Sequence, residues 1–162
     1  MSDIMYDDVP ISWRIYSIHD EKNIKGLFGD YRFLSNFVTC NIVYDGLEYQ
    51  SSESAYQSAK IVPNERNDFS TMKAYDSKKN WKLYTPLYTP EIWDSKKYDI
   101  MYNILLDKFT RNPLLGEMLK ETGDRYIEET NHWSDIFWGV DYLSGNGENN
   151  LGKILMDIRS KI

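Results

Sequence analysis

The sequence predicts an α+β fold, a mostly helical single domain with one small antiparallel sheet. Three observations point there. Helical apolar spacing recurs in stretches that follow Ser52, Thr89, Pro113 and Asn150. One Asp45-Gly46 pair lies between two short β-type runs, the pattern of a tight hairpin. No internal repeat, low-complexity tract or Gly/Ser linker divides the 162 residues, a length that suits one core.

In chain order, Ile11 to His19 alternates well enough for an early strand. Asn41 to Tyr44 and Leu47 to Tyr49 form the arms of the hairpin. Ser51 or Ser52 offers an N-cap for a helix over about Glu53 to Ile61, stopped near Pro63. Pro86 and Pro90 bracket a loop, and Thr89-Pro90 reads as N-cap and first helical position of the longest helix. Ile100, Met101, Ile104, Leu105 and Phe109 line its buried face, and Asn112-Pro113 ends it. Leu114, Leu115, Met118 and Leu119 mark a short further helix, with Gly123 as its stop. Gly139 to Asn150 is rich in Gly and Asn and reads as a loop. Asn150 then caps a last helix buried through Leu151, Ile154, Leu155 and Ile158.

Composition narrows the function classes. Hydrophobic residues make up 41% and charged residues 27%, an ordinary globular balance. No apolar run approaches the roughly 20 residues that span a bilayer. The acidic start, with Asp3, Asp7 and Asp8, lacks a signal pattern, and the lone Cys40 has no partner for an internal disulfide. These features lead us to expect a soluble, zinc-free protein of the cytoplasm. The formal net charge of −6 disfavours wrapping long nucleic acid, where phosphate neutralisation dominates, but leaves room for a local basic groove.

Two segments hold residues suited to chemistry. On a helix, Glu53, Tyr56, Gln57 and Lys60 fall at i, i+3, i+4 and i+7 and share one stripe. Ala55, Ala59 and Val62 make a separate, small apolar stripe. The ordinary reading of the polar stripe is a solvated face; the functional reading is a pair of charges that flank a bound sugar. The second segment runs from Glu129 to Gly139 and includes Asn131, Trp133, Asp135 and Trp138. It reads either as a site that stacks a flat ring and holds hydroxyls, or as an aromatic corner whose polar groups cap turns. His19 and His132 sit in no HExxH or nucleophile-elbow context. Carboxylate, lysine and aromatic chemistry remains, an inventory that fits cleavage at an anomeric carbon.

The same residues resemble the NADAR (YbiA-like) family. The resemblance is carried by Gly29 to Phe37, Tyr44 to Tyr49, Ser52-Glu53, Ala55 to Gln57 and Ala59-Lys60. It continues through Trp93, Met101, Lys108-Phe109 and Thr122 to Asp124, then Glu129, Asn131, Trp133, Asp135 and Phe137 to Gly139. It closes with Gly147, Asn149, Leu151-Gly152, Leu155-Met156 and Arg159, so that it covers about residues 27–160. Where the family has a Pro before the glutamate helix, this chain has Gln50, and Ser54 follows Glu53. A Gly-Arg pair common before the middle Trp is missing. Tyr75 to Pro90 is instead lysine-rich, with Lys78, Lys79 and Lys82 available for a phosphate contact.

The resemblance implies an α+β hydrolase of ADP-ribose derivatives, a glycosidase that removes ADP-ribose from the amino group of modified guanine. A related branch is linked to riboflavin-pathway intermediates, which are also ribosyl amines. It implies no cofactor and no metal, and some members accompany a DNA ADP-ribosyltransferase toxin as its antidote. On this basis Glu53 is the expected base, which activates water or deprotonates a ribose hydroxyl. Asp135 is a second carboxylate that orients substrate or protonates the departing base. Lys60 either traps the ring-opened ribose as a Schiff base or neutralises developing charge. Trp138, with Trp133 and Phe37, is expected to stack on a base, and Arg32, Ser35 and Asn36 to bond ribose and phosphate. Phe33, Tyr56, Gln57, Trp93, Glu129, Asn131, Gly139 and Asn149 complete the expected substrate-binding set. Two other classes stay open: a non-catalytic binder that sequesters ADP-ribose or an NAD-derived nucleotide, and a protein-interaction module that uses its aromatic surface.

Overall fold

The computed structural model describes residues 17–162. Along the chain run strands β1 (Ile18–His19) and β2 (Asn23–Lys25), a 3-10 helix Gly29–Leu34, then β3 (Ile42–Tyr44) and β4 (Leu47–Tyr49). Helix α1 (Ser52–Ser58), a 3-10 helix Pro63–Thr71, α2 (Ala74–Asn80) and a 3-10 turn Trp81–Leu83 lead to α3 (Pro90–Arg111) and α4 (Pro113–Glu121). Strands β5 (Tyr126–Glu128), β6 (Thr130–Asn131) and β7 (Val140–Asp141) precede α5 (Asn150–Lys161). The fold is α+β, as the sequence suggests. Two compact units make up the described residues: Asn36–Gly116, and residues 17–35 with Glu117–Ile162.

In the unit Asn36–Gly116, β3 and β4 pair antiparallel, Ile42 opposite Tyr49 and Tyr44 opposite Leu47. Asp45 and Gly46 turn the hairpin with φ of 47° and 82°, the two left-handed positions that a type I′ turn requires. Ser51 caps α1 by accepting a hydrogen bond from the Ser54 amide at 3.0 Å. Every side chain of α1 is buried. The helix ends at Ser58, short of the expected Ile61, where it tightens into i→i+3 bonds from the Lys60 amide to Gln57 O and from the Ile61 amide to Ser58 O, both at 3.2 Å, and the buried Arg66 guanidinium braces the turn. Arg66 Nε donates to Ser58 O at 2.9 Å and Ile61 O at 3.2 Å, and Nη1 reaches Asp45 at 2.8 Å. Thr89 and Pro90 start α3 as expected, Thr89 Oγ1 accepting from the Ile92 amide at 3.3 Å. Its Met101, Ile104, Leu105 and Phe109 are buried, and Ile100 is half-buried.

In the other unit, β2 pairs antiparallel with β1 and parallel with β5, while β6 and β7 form a second, parallel pair. Among the described residues there are thus three small sheets, two of them with parallel pairing, where one antiparallel sheet was expected. Strands of two or three residues are too short to show the alternation that marks a strand in sequence. Of the early strand expected over Ile11 to His19, residues 11–16 lie outside the described residues, and Ile18–His19 is β1. Helix α5 is buried through Leu151, Ile154, Leu155 and Ile158. Its N-cap is Asn149, in the left-handed conformation, and Asn150 is the first helical residue. The Asn149 side chain does not cap the helix; it is drawn to β5 and Glu129 instead. Among the described residues, no helix is long and apolar enough to cross a membrane.

Candidate functional site

The stripe on α1 is enclosed. Glu53 and Gln57 are 7% and 4% exposed, which overturns the solvated-face reading. The Gln57 amide Nε2 donates to Glu53 Oε2, a charge-assisted contact one helical turn apart. That leaves Gln57 Oε1 buried without a hydrogen-bond partner among the described residues. A buried acceptor left without a donor beside a carboxylate is costly to the fold. Asn36 is tied to the start of the same helix. Its carbonyl accepts from the Glu53 amide at 3.0 Å, and its Oδ1 from Ser52 Oγ at 2.8 Å. These bonds fix the backbone from which Glu53 projects.

Lys60 lies one residue past the C-cap Ala59. Its ammonium sits over three rings: Trp81 at 4.3 Å, Tyr56 at 5.2 Å and Trp93 at 5.7 Å from the centroids. Burial pushes its pKa down to about 8; the Glu53 charge pulls upward, and Lys78, Lys82 and Lys97 push further down. Near neutral pH this amine therefore carries a much larger uncharged fraction than an exposed lysine. Tyr56 and Trp93 touch at 5.3 Å, and Trp93 stacks with Tyr88 at 6.2 Å. Lys78 Nζ stands 5.6 Å from the Phe37 ring. Lys60 also lines a cavity of about 430 Å³, together with Trp81, Lys82, Tyr84, Tyr88 and Trp93. Trp81, Tyr84 and Tyr88 were not singled out in the sequence. Their signal was present, aromatics three and four residues apart amid lysines, but without apolar neighbours it reads as a loop.

The late aromatic motif lies in the unit that contains β5, β6 and β7, where much of its polarity is committed to backbone. Asn131 is fully buried; its Nδ2 donates to Glu129 Oε2 and Asp135 O, and its Oδ1 accepts from the Asp135 amide, all at 2.9–3.0 Å. Asp135 Oδ1 accepts from the amides of Phe137 and Trp138 at 3.2 and 2.9 Å, so this carboxylate holds the turn that presents Trp138. Asn149 bonds the Glu129 amide through Oδ1 and Ile127 O through Nδ2. Gly139 is pressed so closely against Glu129 and Asn131 that a Cβ there would overlap both. Trp138 meets Phe137 edge-to-face at 4.7 Å, and Trp133 is exposed. Arg32 donates to Ser35 Oγ at 3.1 Å, and both are buried; Phe33 is a core residue at 3% exposure. Among the described residues, no three His, Cys, Asp or Glu side chains gather as metal ligands.

Comparison with known proteins identifies the family and agrees with the fold. Residues 20–162 match the NADAR domain, and the chain belongs to that family. It is 33% identical over 132 residues to a riboflavin biosynthesis protein of Vibrio vulnificus, covering 80% of this chain but only 35% of that protein. It is 31% identical over 139 residues to the N-glycosidase YbiA of Shigella boydii, covering 82% of each chain. The solved structure of Escherichia coli YbiA superposes with a TM-score of 0.73 at 27% identity, over 92% of this chain and 89% of that one.

Proposed function

We propose that the protein is an N-glycosidase that releases ADP-ribose from ADP-ribosylated guanine, or that cleaves a closely related N-ribosyl compound. The observation that carries this reading is the enclosed stripe of Glu53, Gln57 and Lys60: a buried carboxylate, an unpaired acceptor and a partly desolvated amine. The N-glycosidase name of the Shigella relative, matched over most of both chains, supports the same class.

Breaking a ribosyl C1–N bond builds positive charge on C1, which the Glu53 carboxylate stabilises across a short gap. Gln57 keeps that carboxylate oriented and offers Oε1 to a ribose hydroxyl. In its uncharged form Lys60 attacks C1. A new C–N bond forms as the bond to the base breaks, and the base leaves with a proton. The ribose ring then opens to an iminium, and water hydrolyses it to free ADP-ribose and regenerates the amine.

Single-turnover cleavage of a guanine-ADP-ribosylated oligonucleotide tests these roles. Glu53→Gln is expected to slow the reaction by about 100-fold or more, the usual scale for a lost electrostatic stabiliser of the transition state. Wild-type rates in that variant would sink the assignment. Borohydride added during turnover should leave a reduced ADP-ribose adduct on Lys60, read by peptide mass. If cleavage proceeds with no adduct, Lys60 acts through its charge alone. If ADP-ribose binds and no substrate is cleaved, the protein is a sequestering binder.

A further inference from the structure

We infer that Arg66, held by Asp45 of the hairpin turn, is a positioning residue for Lys60: it clamps the turn beyond α1 and so keeps the Lys60 amine over its three rings. That role rests on the proposed function only for what the amine does to a substrate.

Lys60 lies past the end of α1, in a turn that the helix alone does not fix. Two carbonyls bracket it, those of Ser58 and Ile61, and Arg66 Nε donates to both, at 2.9 and 3.2 Å. Nη1 of the same guanidinium donates to Asp45 Oδ2 at 2.8 Å, and its Cζ stands 5.8 Å from the centroid of the Tyr44 ring. On the opposite flank the Leu87 amide donates to Lys60 O at 2.8 Å, and the Val62 amide to Thr85 O at 3.0 Å. The turn is thus tied to the hairpin through Arg66 and to the segment before α3 through Thr85 and Leu87. Tyr56, Trp81 and Trp93 come from α1, the 3-10 turn and α3, so the amine meets all three rings only while its own turn holds its place. Arg66 is 3% exposed, whereas the Asp45 side chain is open to solvent. A lysine in place of Arg66 has one nitrogen and no rigid fork, so it cannot serve both carbonyls and Asp45 at once. The charged groups that face the Lys60 amine are Glu53 from α1, Lys78 from α2, Lys82 from the 3-10 turn and Lys97 from α3, the last bonded to Asp94.

Trace labelling of the full chain with acetic anhydride, from about pH 6 to about pH 11 and read by peptide mass, follows the Lys60 amine without any substrate. Asp45→Gly preserves the turn, because glycine takes the left-handed conformation freely, and removes the acceptor for Nη1. Arg66→Lys preserves the buried charge and removes the fork. In both variants the Lys60 titration should rise from about 8 toward that of an exposed lysine, and labelling at neutral pH should fall at least about threefold. Loss of the Asp45 charge by itself acts the other way and lowers the titration. Leu119→Ala, a core truncation in the other unit, should leave the curve in place. In cleavage assays the two turn variants should lose kcat at neutral pH and regain it at high pH, with KM held. An unmoved or lowered curve in Asp45→Gly would overturn the role, whether or not Arg66→Lys folds. So would an equal rise in Leu119→Ala, or a kcat lost alike at every pH. Cleavage by wild type beside an unmoved curve sinks the positioning role alone; a raised curve without cleavage of any ribosyl amine sinks the glycosidase reading alone.

Discussion

At the scale of single residues, the proposed chemistry turns on a lysine whose burial opposes its charge. Lys60 has a pKa of about 8 in the folded chain against an ordinary 10.5. If its uncharged amine is the nucleophile, single-turnover rates should climb with pH and level off above about 8. Lys60→Gln should remove both the rate and that rise. Folding carries the mirror of this effect. Between about pH 8 and 10.5 the unfolded chain holds the proton that the folded chain has released, so stability rises with pH through that window. Below pH 8 the buried charge costs stability in full. Lys60→Met should therefore melt above wild type at pH 7, and the difference should close as pH approaches 10.5. A Tm difference that stays constant across that range would mean that Lys60 is not desolvated. The neighbouring Gln57 Oε1 is a buried polar atom without a hydrogen-bond partner among the described residues.

At the scale of elements, short helices and turns set the positions of these groups. Ser51 holds the first turn of α1, where Glu53 projects, so Ser51→Ala should cost about 1 kcal/mol of stability in urea unfolding. Gly139→Ala should cost more, about 2–4 kcal/mol, because its Cβ drives into Glu129 and Asn131 rather than into open space. A Gly139→Ala chain as stable as wild type would contradict the packing described for that motif. The same elements separate what the sequence discloses from what it conceals. The hairpin around Asp45-Gly46 and helices α1, α3, α4 and α5 announce themselves through turn residues, caps and apolar period. Helix α2 and the turn at Trp81–Leu83 do not: Tyr75, Lys78 and Lys79 are exposed, and no apolar face repeats. The two-residue strands β6 and β7 are fixed by parallel pairing with distant residues, which no local pattern encodes. Site residues divide in the same way. Glu53, Gln57 and Lys60 follow from helical spacing, but Asn131 and Asn149 look like ligand contacts until their amides are found bonded to backbone. Trp81 becomes visible only when Lys60 is placed over it.

At the scale of the whole molecule, charge is unevenly shared. Residues 36–116 contain ten Lys and Arg and ten Asp and Glu, so the net −6 falls entirely on the remainder. Lys60 and Lys82 line the cavity of this acidic chain, so a phosphate-bearing substrate of the kind proposed would meet local attraction there despite the overall repulsion. Substrate affinity should accordingly weaken as ionic strength rises from about 0.01 M to about 1 M, over which the screening length falls from about 30 Å to about 3 Å. Salt-independent affinity would place the phosphates away from these lysines. The bond that is cut distinguishes a glycosidase from a binder. The most direct measurement is mass spectrometry of the products after the protein meets guanine-ADP-ribosylated DNA in isotopically labelled water. It should give intact ADP-ribose carrying one solvent oxygen and oligonucleotide with unmodified guanine. An oligonucleotide that keeps its ribose, or that returns unchanged while ADP-ribose stays bound, would contradict a glycosidase.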